Sequence, residues 1–140
     1  MRIFRDINDR AINTPTVLTF GVFDGLHLAH QLIMRRVTER ARVLAVPATV
    51  VTFDPHPRAV LHPETAPPLL QTFEQKMEGM ERLGIDQTVV LGFTPELSKL
   101  SAEDFLMRFI FGRLDAREVY LGQGFAFGHN RQGRFELLSQ

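Results

Sequence analysis

Short apolar runs alternate along the chain with longer segments in which apolar residues recur every three or four positions. The runs predict strands near residues 16–21, 48–53, 86–91 and 117–122. The longer segments predict helices near residues 28–45, 73–83 and 102–112. Regular alternation of strand and helix is typical of an open parallel sheet covered by helices. The pattern therefore predicts an α/β fold, and 140 residues are enough for one domain with one core.

The segment between the first predicted strand and the first predicted helix carries the most informative chemistry. Residues 21–31 read GVFDGLHLAHQ, a glycine-bearing turn followed by two histidines three positions apart. His27 and His30 would share one face of the helix start, where free N–H groups and the helix dipole attract anions. Imidazole N–H groups can follow charge that develops on a phosphoryl group. The spacing therefore favours a phosphate-binding site at the carboxyl end of the strand.

Other interpretations of the same residues stay open. Asp24 can cap the helix or satisfy the backbone of the turn, and the histidine pair can be a surface feature or half of a metal site. The chain has no cysteine and no His-Glu-x-x-His pattern, so a zinc site is poorly supported and no protein metal ligands are predicted. Net charge is zero, which gives no reason to expect affinity for nucleic acid or a membrane surface. The N-terminus lacks the apolar stretch of a signal peptide, so a cytoplasmic location is the default expectation.

Two further segments stand outside the regular alternation. Residues 54–70 hold five of the eight prolines and are predicted to form either a flap near the substrate site or a stiff surface connection. Residues 134–140 have the pattern of another helix that stops early. A chain ending there would leave a sheet edge uncovered, so C-terminal strands are expected to be missing.

Four motifs in series resemble one family. Residues 21–30 resemble the Gly-x-Phe-Asp-Gly-x-His-x-Gly-His motif of nucleotidyltransferases, and three later motifs are similar to those of the FMN adenylyltransferase (FAD synthetase) module of bacterial bifunctional riboflavin kinase/FAD synthetases. These later motifs are TFDPHP at 52–57, LGID at 83–86 with LGFT at 91–94, and LGQGFAFGHNRQG at 121–133. The resemblance runs from about residue 15 to the end of the chain.

This resemblance implies a Rossmann-like nucleotidyltransferase fold that transfers AMP from ATP to FMN, giving FAD and pyrophosphate, with Mg²⁺ accompanying ATP. It implies that His27 and His30 are catalytic. The implied ATP contacts are Gly21, Phe23, Asp24, Gly25, His27, His30 and Gly122. The implied flavin contacts are Phe53, Pro55, His56, Pro57, Phe125, Phe127 and Arg131. For Asp24 a role in shaping the turn is preferred.

The sequence departs from the family pattern at three positions and at its end. Ala29 replaces a glycine between the histidines, Gly124 replaces an Asp or Asn, and Ala126 stands where a basic residue is common. The family's downstream Ser/Thr-Arg segment, which clamps the triphosphate, and its riboflavin-kinase domain are not found before Gln140. The chain is therefore expected to be a partial nucleotidyltransferase domain. Two alternatives remain: a non-catalytic flavin- or nucleotide-binding relative, and a transferase for another small phosphorylated acceptor.

Overall fold

The computed structural model describes residues 1–54, 64, 71–92 and 94–122, together with the backbone of two later strands, Phe125–Phe127 and Gly133–Phe135. The strands are β1 (Arg2–Phe4), β2 (Thr16–Phe20), β3 (Ala48–Phe53), β4 (Gln87–Leu91), β5 (Ala116–Val119), β6 (Phe125–Phe127) and β7 (Gly133–Phe135). The helices are α1 (Leu28–Leu44), α2 (Phe73–Arg82), α3 (Pro95–Ser98) and α4 (Ala102–Phe105), the last continuing as a π-helical segment over Leu106–Arg113.

Five parallel strands form one sheet in the order β1-β4-β3-β2-β5. The chain passes from β2 to β3 to β4 in one direction and then returns to place β5 on the other side of β2. The strand order therefore reverses at the carboxyl ends of β2 and β5. In open α/β sheets the crevice at such a reversal is where ligands bind.

Both faces of the sheet are covered, which explains why the three central strands, β2, β3 and β4, are buried along almost their whole length. One face packs against α4 and the π-helical segment through a cluster that includes Leu18, Phe20 and Ile110. The other packs against α1 and α2 through a cluster that includes Met34 and Met80. The sequence prediction of an α/β fold with a parallel sheet is confirmed.

The predicted strands and helices are present, but the structure differs from the prediction at several places, among them the short helix α3 and the strand β6, which were not predicted. The strand Arg2–Phe4 was not predicted, because three residues are too few to show a period. The helix predicted near 102–112 begins as predicted, with the Ser101 hydroxyl accepting a hydrogen bond from the Asp104 N–H at 3.0 Å, but becomes π-helical after Phe105. The prediction of a helix from residue 134 is wrong for its first residues, because Gly133–Phe135 forms a strand that pairs antiparallel with β6.

An ion pair joins the outer face of α1 to the edge strand β5. The Arg40 guanidinium donates two hydrogen bonds to the Glu118 carboxylate, at 2.8 and 2.7 Å, and the Tyr120 hydroxyl donates a third at 2.6 Å. The hydrogen bonds from Arg40 are the main reason that the pKa of Glu118 is lowered to about 2. A bidentate pair of this kind fixes the position of the helix on the sheet edge.

Glu118→Gln is expected to reduce the stability of the protein at neutral pH but not in strong acid. A carboxyl group whose pKa is lower in the folded state contributes stability above its unfolded pKa, near 4.5, and loses that contribution as the pH falls toward 2. Unfolding by urea at several pH values should show the wild-type and variant midpoints drawing together as the pH falls from about 4.5 to about 2. Glu39→Gln is the matched control, because Glu39 is exposed and lies 3.9 Å from Arg36. An equal effect of both substitutions at pH 7 would contradict the prediction.

Candidate functional site

The turn between β2 and α1 has an unusual backbone. Its first residue, Gly21, still pairs with β3, since its N–H donates to the Val51 carbonyl at 3.0 Å. Phe23 and Gly25 then both adopt left-handed conformations, with φ of 55° and 65°. Glycine tolerates this region at little cost, whereas a residue as bulky as phenylalanine rarely enters it. Two left-handed residues in three reverse the chain sharply enough for α1 to begin at Leu28, directly above the carboxyl end of β2.

The two histidines lie at the start of α1, as the sequence predicted. His27 is the exposed N-cap residue of the helix, and its side chain makes no capping hydrogen bond. His30 is half-buried one turn later, with its ring centre 5.5 Å from that of His27. The N–H groups of the first helical turn and both imidazoles therefore occupy one corner of the molecule, at the reversal of strand order. This corner combines the groups that bind phosphate oxygens.

The His30 ring makes no hydrogen bond to a residue in the described part of the chain, so packing orients it. Its Nδ1 atom is buried and has no hydrogen-bond partner among these residues. The ring stands edge-on to the buried Phe23 ring at 5.3 Å and 88°. Burial lowers the pKa of His30, and the neighbouring His27 lowers it further. At neutral pH the neutral imidazole is therefore favoured, with one N–H available as a donor.

A buried lysine lies on the other side of the same turn. Lys76, on α2, is 9% exposed, and its Nζ donates to the Val22 carbonyl at 3.0 Å and to the Thr52 hydroxyl at 3.3 Å. Burial lowers the pKa of Lys76, while Asp54 and Asp24 act in the opposite direction. The two carboxylates thus help to keep the ammonium charged in a site largely shielded from water.

Lys76 forms the floor of a small open depression beside the turn. The depression is lined by residues from three segments that are distant in sequence: Val22, Asp24, Phe53, Asp54, Gln71, Thr72, Phe73 and Lys76. At its rim the Arg5 guanidinium bonds the Asp54 carboxylate at 3.2 Å and covers the Phe73 ring at 4.4 Å. The depression thus brings aromatic side chains and a buried ammonium together beside the histidine turn.

Gln71 ties the histidine turn to this depression. Its N–H donates to the Asp24 carboxylate at 3.3 Å, and its side-chain oxygen accepts from the Leu26 N–H at 3.2 Å. The first of these bonds links the Asp24 side chain to the backbone of the segment that precedes α2. Residues 22–27 are thus held from the α2 side as well as by α1.

The structure describes some of the remaining predicted site residues and not others. Gly122 follows β5 and packs closely on α1, since a Cβ atom there would lie 3.3 Å from Ile33 Cδ1. Ala29, the departure between the histidines, is exposed, so its methyl group is not crowded by the described part of the protein. Phe125 and Phe127 lie in β6, an extended segment. The other predicted flavin contacts lie outside the described residues: Pro55, His56, Pro57 and Arg131.

Sequence reasoning missed Lys76, Asp54, Gln71 and Arg5 as neighbours of the site. Lys76 carried a detectable signal, because it sits among Phe73, Met77 and Met80 on the face of α2 that the apolar spacing directs into the core. A lysine at such a position needs partners for its charge. Asp54 lies in the TFDPHP motif but was given no role, and Arg5 and Gln71 are ordinary polar residues in sequence whose place is set by the fold.

The described residues show neither a metal-binding cluster nor a membrane-spanning helix. They contain no group of three or more His, Asp, Glu or Cys side chains arranged to hold a metal ion. Within the same part of the chain, no helix has both the length and the apolar character needed to cross a membrane.

Comparisons with known proteins agree on one family. Residues 9–140 match the family model for FAD synthetase. The chain is 37% identical to a bifunctional riboflavin kinase/FMN adenylyltransferase of Pseudomonas fluorescens, over 99% of this chain and 44% of that protein. It is 30% identical to the protein of the same name from Buchnera aphidicola subsp. Acyrthosiphon pisum, over 100% of this chain and 45% of that protein. The chain therefore spans about half the length of these relatives.

Two further comparisons agree with the fold and with the family. A putative bifunctional riboflavin kinase/FMN adenylyltransferase of Geobacillus thermodenitrificans is 34% identical over 88% of this chain and 66% of that protein. Among solved structures, one described as a macrolide-efflux protein from Streptococcus pneumoniae superimposes with a TM-score of 0.76 and 26% identity, covering 91% of this chain and 43% of that one. Likeness of fold does not by itself transfer an activity.

Proposed function

This chain belongs to the FAD synthetase family, and from that premise we propose that it transfers AMP from ATP to FMN. In this reaction a phosphate oxygen of FMN attacks the α-phosphorus of ATP. The bond from that phosphorus to the β-phosphate oxygen breaks, and FAD and pyrophosphate form. The observation that carries the proposal is the histidine pair on the first turn of α1, at the point where the strand order reverses. Transfer of this kind depends mainly on positioning and on stabilising charge.

The two histidines have different tasks in the proposal. His27 is exposed and free of capping bonds, so it can move to meet the phosphates. His30 is held by its packing against Phe23, and its lowered pKa keeps it neutral near pH 7. A fixed neutral imidazole donates one directed hydrogen bond to an oxygen that gains charge in the transition state. The pair thus combines one adaptable donor with one preorganised donor.

The proposed substrate sites combine the family motifs with the place of the described residues around the turn. ATP would bind along the turn and the start of α1, with backbone N–H groups of this corner meeting phosphate oxygens. The proposed ATP residues are Gly21, Phe23, Asp24, Gly25, His27, His30 and Gly122. Phe23 would contribute through its backbone, since its side chain is 6% exposed. The proposed flavin residues are Phe53, Pro55, His56, Pro57, Phe125, Phe127 and Arg131, of which Phe53 lines the depression beside the turn.

Mg²⁺ fits this site as an ion that arrives with ATP. The described residues offer no set of three acidic or histidine ligands, so phosphate oxygens and water would supply most of its coordination. Bound there, the ion would neutralise charge on the phosphate chain. The residues of this chain would hold the nucleotide in place around it.

The test is direct formation of FAD. The purified chain is incubated with FMN, ATP and Mg²⁺, and the products are separated by chromatography while FMN binding is followed by flavin fluorescence. FAD and pyrophosphate in equal amounts, dependent on Mg²⁺, are expected. Riboflavin in place of FMN is the control, because it lacks the attacking phosphate. FMN binding without any FAD would refute catalysis by this chain and favour the non-catalytic alternative.

A further inference from the structure

The strained turn that carries the histidines needs an explanation for its stability. Phe23 has a φ of 55°, a conformation that bulky residues rarely adopt and that persists where surrounding contacts impose it. Its side chain is buried in the cluster beneath α1 and α2. A contact from outside the turn can fix the conformation of Phe23 by holding the peptide group just before it. The oxygen of that peptide group is the Val22 carbonyl.

That carbonyl is bonded twice from other parts of the fold. Lys76 Nζ donates to it at 3.0 Å, and the Thr52 hydroxyl donates to it at 3.1 Å. The Lys76 ammonium also donates to the Thr52 oxygen at 3.3 Å, so the two donors form one closed network with the carbonyl. A charged donor makes a stronger bond than a neutral one, especially when water is largely excluded.

This network has a consequence for His30, the proposed catalytic group. The Val22 carbonyl belongs to the planar peptide group that joins Val22 to Phe23, so holding it constrains the backbone that carries the Phe23 side chain. The Phe23 ring stands edge-on to His30, whose Nδ1 has no hydrogen bond to hold it within the described part of the chain. The Phe23 ring is thus a neighbour that packs edge-on to His30, and the Val22 carbonyl is the group through which Lys76 reaches Phe23.

We propose that Lys76 is a positioning residue for His30, acting through the Val22 carbonyl and the Phe23 ring. The acidic side chains of Asp24 and Asp54 favour the charged state that this role needs, against the effect of burial. The part of this inference that concerns catalysis rests on the proposed adenylyl transfer. The part that concerns the position of His30 does not, and it can be measured without any substrate.

The first experiment measures His30 itself. The pKa of its imidazole is followed by NMR of the ring nitrogens in wild-type protein and in Lys76→Met, with His30→Gln to assign the resonance. Loss of the ammonium should free Phe23 and expose His30 to water, so its pKa should rise toward the ordinary value of about 6.5. Gln87→Leu is the control, since it breaks a buried bond to Thr49 at the opposite end of the strands. An unchanged pKa in Lys76→Met would overturn the proposal.

A double-mutant cycle separates positioning from a direct effect of charge. Removing a nearby positive charge could by itself raise the pKa of His30. In a Phe23→Leu background the proposed route is already broken, so adding Lys76→Met should produce little further rise. A full rise in that background would overturn the route through Phe23. If Lys76→Met does not fold, Thr52→Val, which removes the second donor to Val22, decides the question by the same measurement.

The catalytic consequence is tested separately. In Lys76→Met, kcat for FAD formation should fall by about 10- to 100-fold, because a small displacement of a catalytic group is costly. The pH at which kcat/KM changes should shift upward together with the pKa of His30. A smaller fraction of active enzyme would lower kcat/KM without shifting that pH. No FAD from the wild-type chain would refute the proposed function and leave the NMR result to decide on Lys76. Unchanged kcat alongside a shifted pKa would overturn the catalytic part.

Discussion

His30→Ala is expected to lower kcat for FAD formation by about 100- to 1,000-fold, the usual cost of removing one preorganised donor to transition-state charge. His30 is the more rigid of the two histidines, held edge-on to Phe23 at 5.3 Å and half-buried. A fixed donor needs no reorganisation at the moment of reaction. The KM values for ATP and FMN should change much less than kcat, because the loss concerns charge that appears in the transition state.

Comparison with His27→Ala and with the double variant sharpens this prediction. His27 is exposed, so its removal should cost less than that of His30. If both donors act on the same phosphate charge, the double variant should lose less than the product of the two single effects. Glu39→Ala, at an exposed position later on the same helix, is the control and should keep wild-type kcat. A His30→Ala enzyme within about tenfold of wild type would contradict the assigned role.

Much of the sheet could be predicted because its strands are buried on both faces. An apolar run such as residues 48–53 has few other ways to bury itself, and β3 covers the same residues. Strand β1 could not be found this way. It is three residues long, two of them exposed, and it exists because Arg2–Phe4 pairs with β4. Its position is set by a partner more than 80 residues away in sequence.

The π-helical segment after Phe105 was also beyond the sequence pattern. Apolar residues at three- and four-residue spacing predict a helix but do not distinguish its type. Here Gly112 lies so close to the preceding turn that a Cβ atom would be 2.5 Å from the Met107 carbonyl oxygen. A glycine inside a predicted helix is usually interpreted as a weak point. In this fold it permits a close approach of the backbone.

The candidate site likewise has one part that could be predicted from the sequence and another that could not. The histidine pair could be predicted since its members are neighbours on one helix turn, and their spacing alone places them together. The support for that pair comes from Lys76, Thr52 and Gln71, which approach the turn from other elements. Such contacts depend on tertiary packing and leave little trace in local sequence. The lysine on the core face of α2 is the exception, because an unpaired charge there would be costly.

Phe105→Ala is expected to cost about 3–5 kcal/mol of unfolding free energy, the usual loss when a buried phenylalanine is truncated. Phe105 is 5% exposed and is the centre of an aromatic cluster. Its ring lies 5.2 Å from that of Phe20, 5.7 Å from that of Phe109 and 6.4 Å from that of Phe53. These contacts join the end of β2, the end of β3 and the π-helical segment. For a domain with total stability of about 5–15 kcal/mol, the loss brings the protein close to unfolding at moderate temperature.

Urea unfolding of Phe105→Ala, Phe105→Leu and wild type measures this effect. Leucine nearly fills the space of the ring and should cost about 1.5 kcal/mol or less, so the difference between the two variants reports the cavity. The aromatic contacts are isolated by a cycle with Phe20→Leu, in which a coupling of about 0.5–1.5 kcal/mol is expected. A cost of less than about 1 kcal/mol for Phe105→Ala would contradict a central role for the ring. The β2 turn with its histidines would then be supported from the α1 and α2 side of the sheet, where Met34 and Met80 are fully buried.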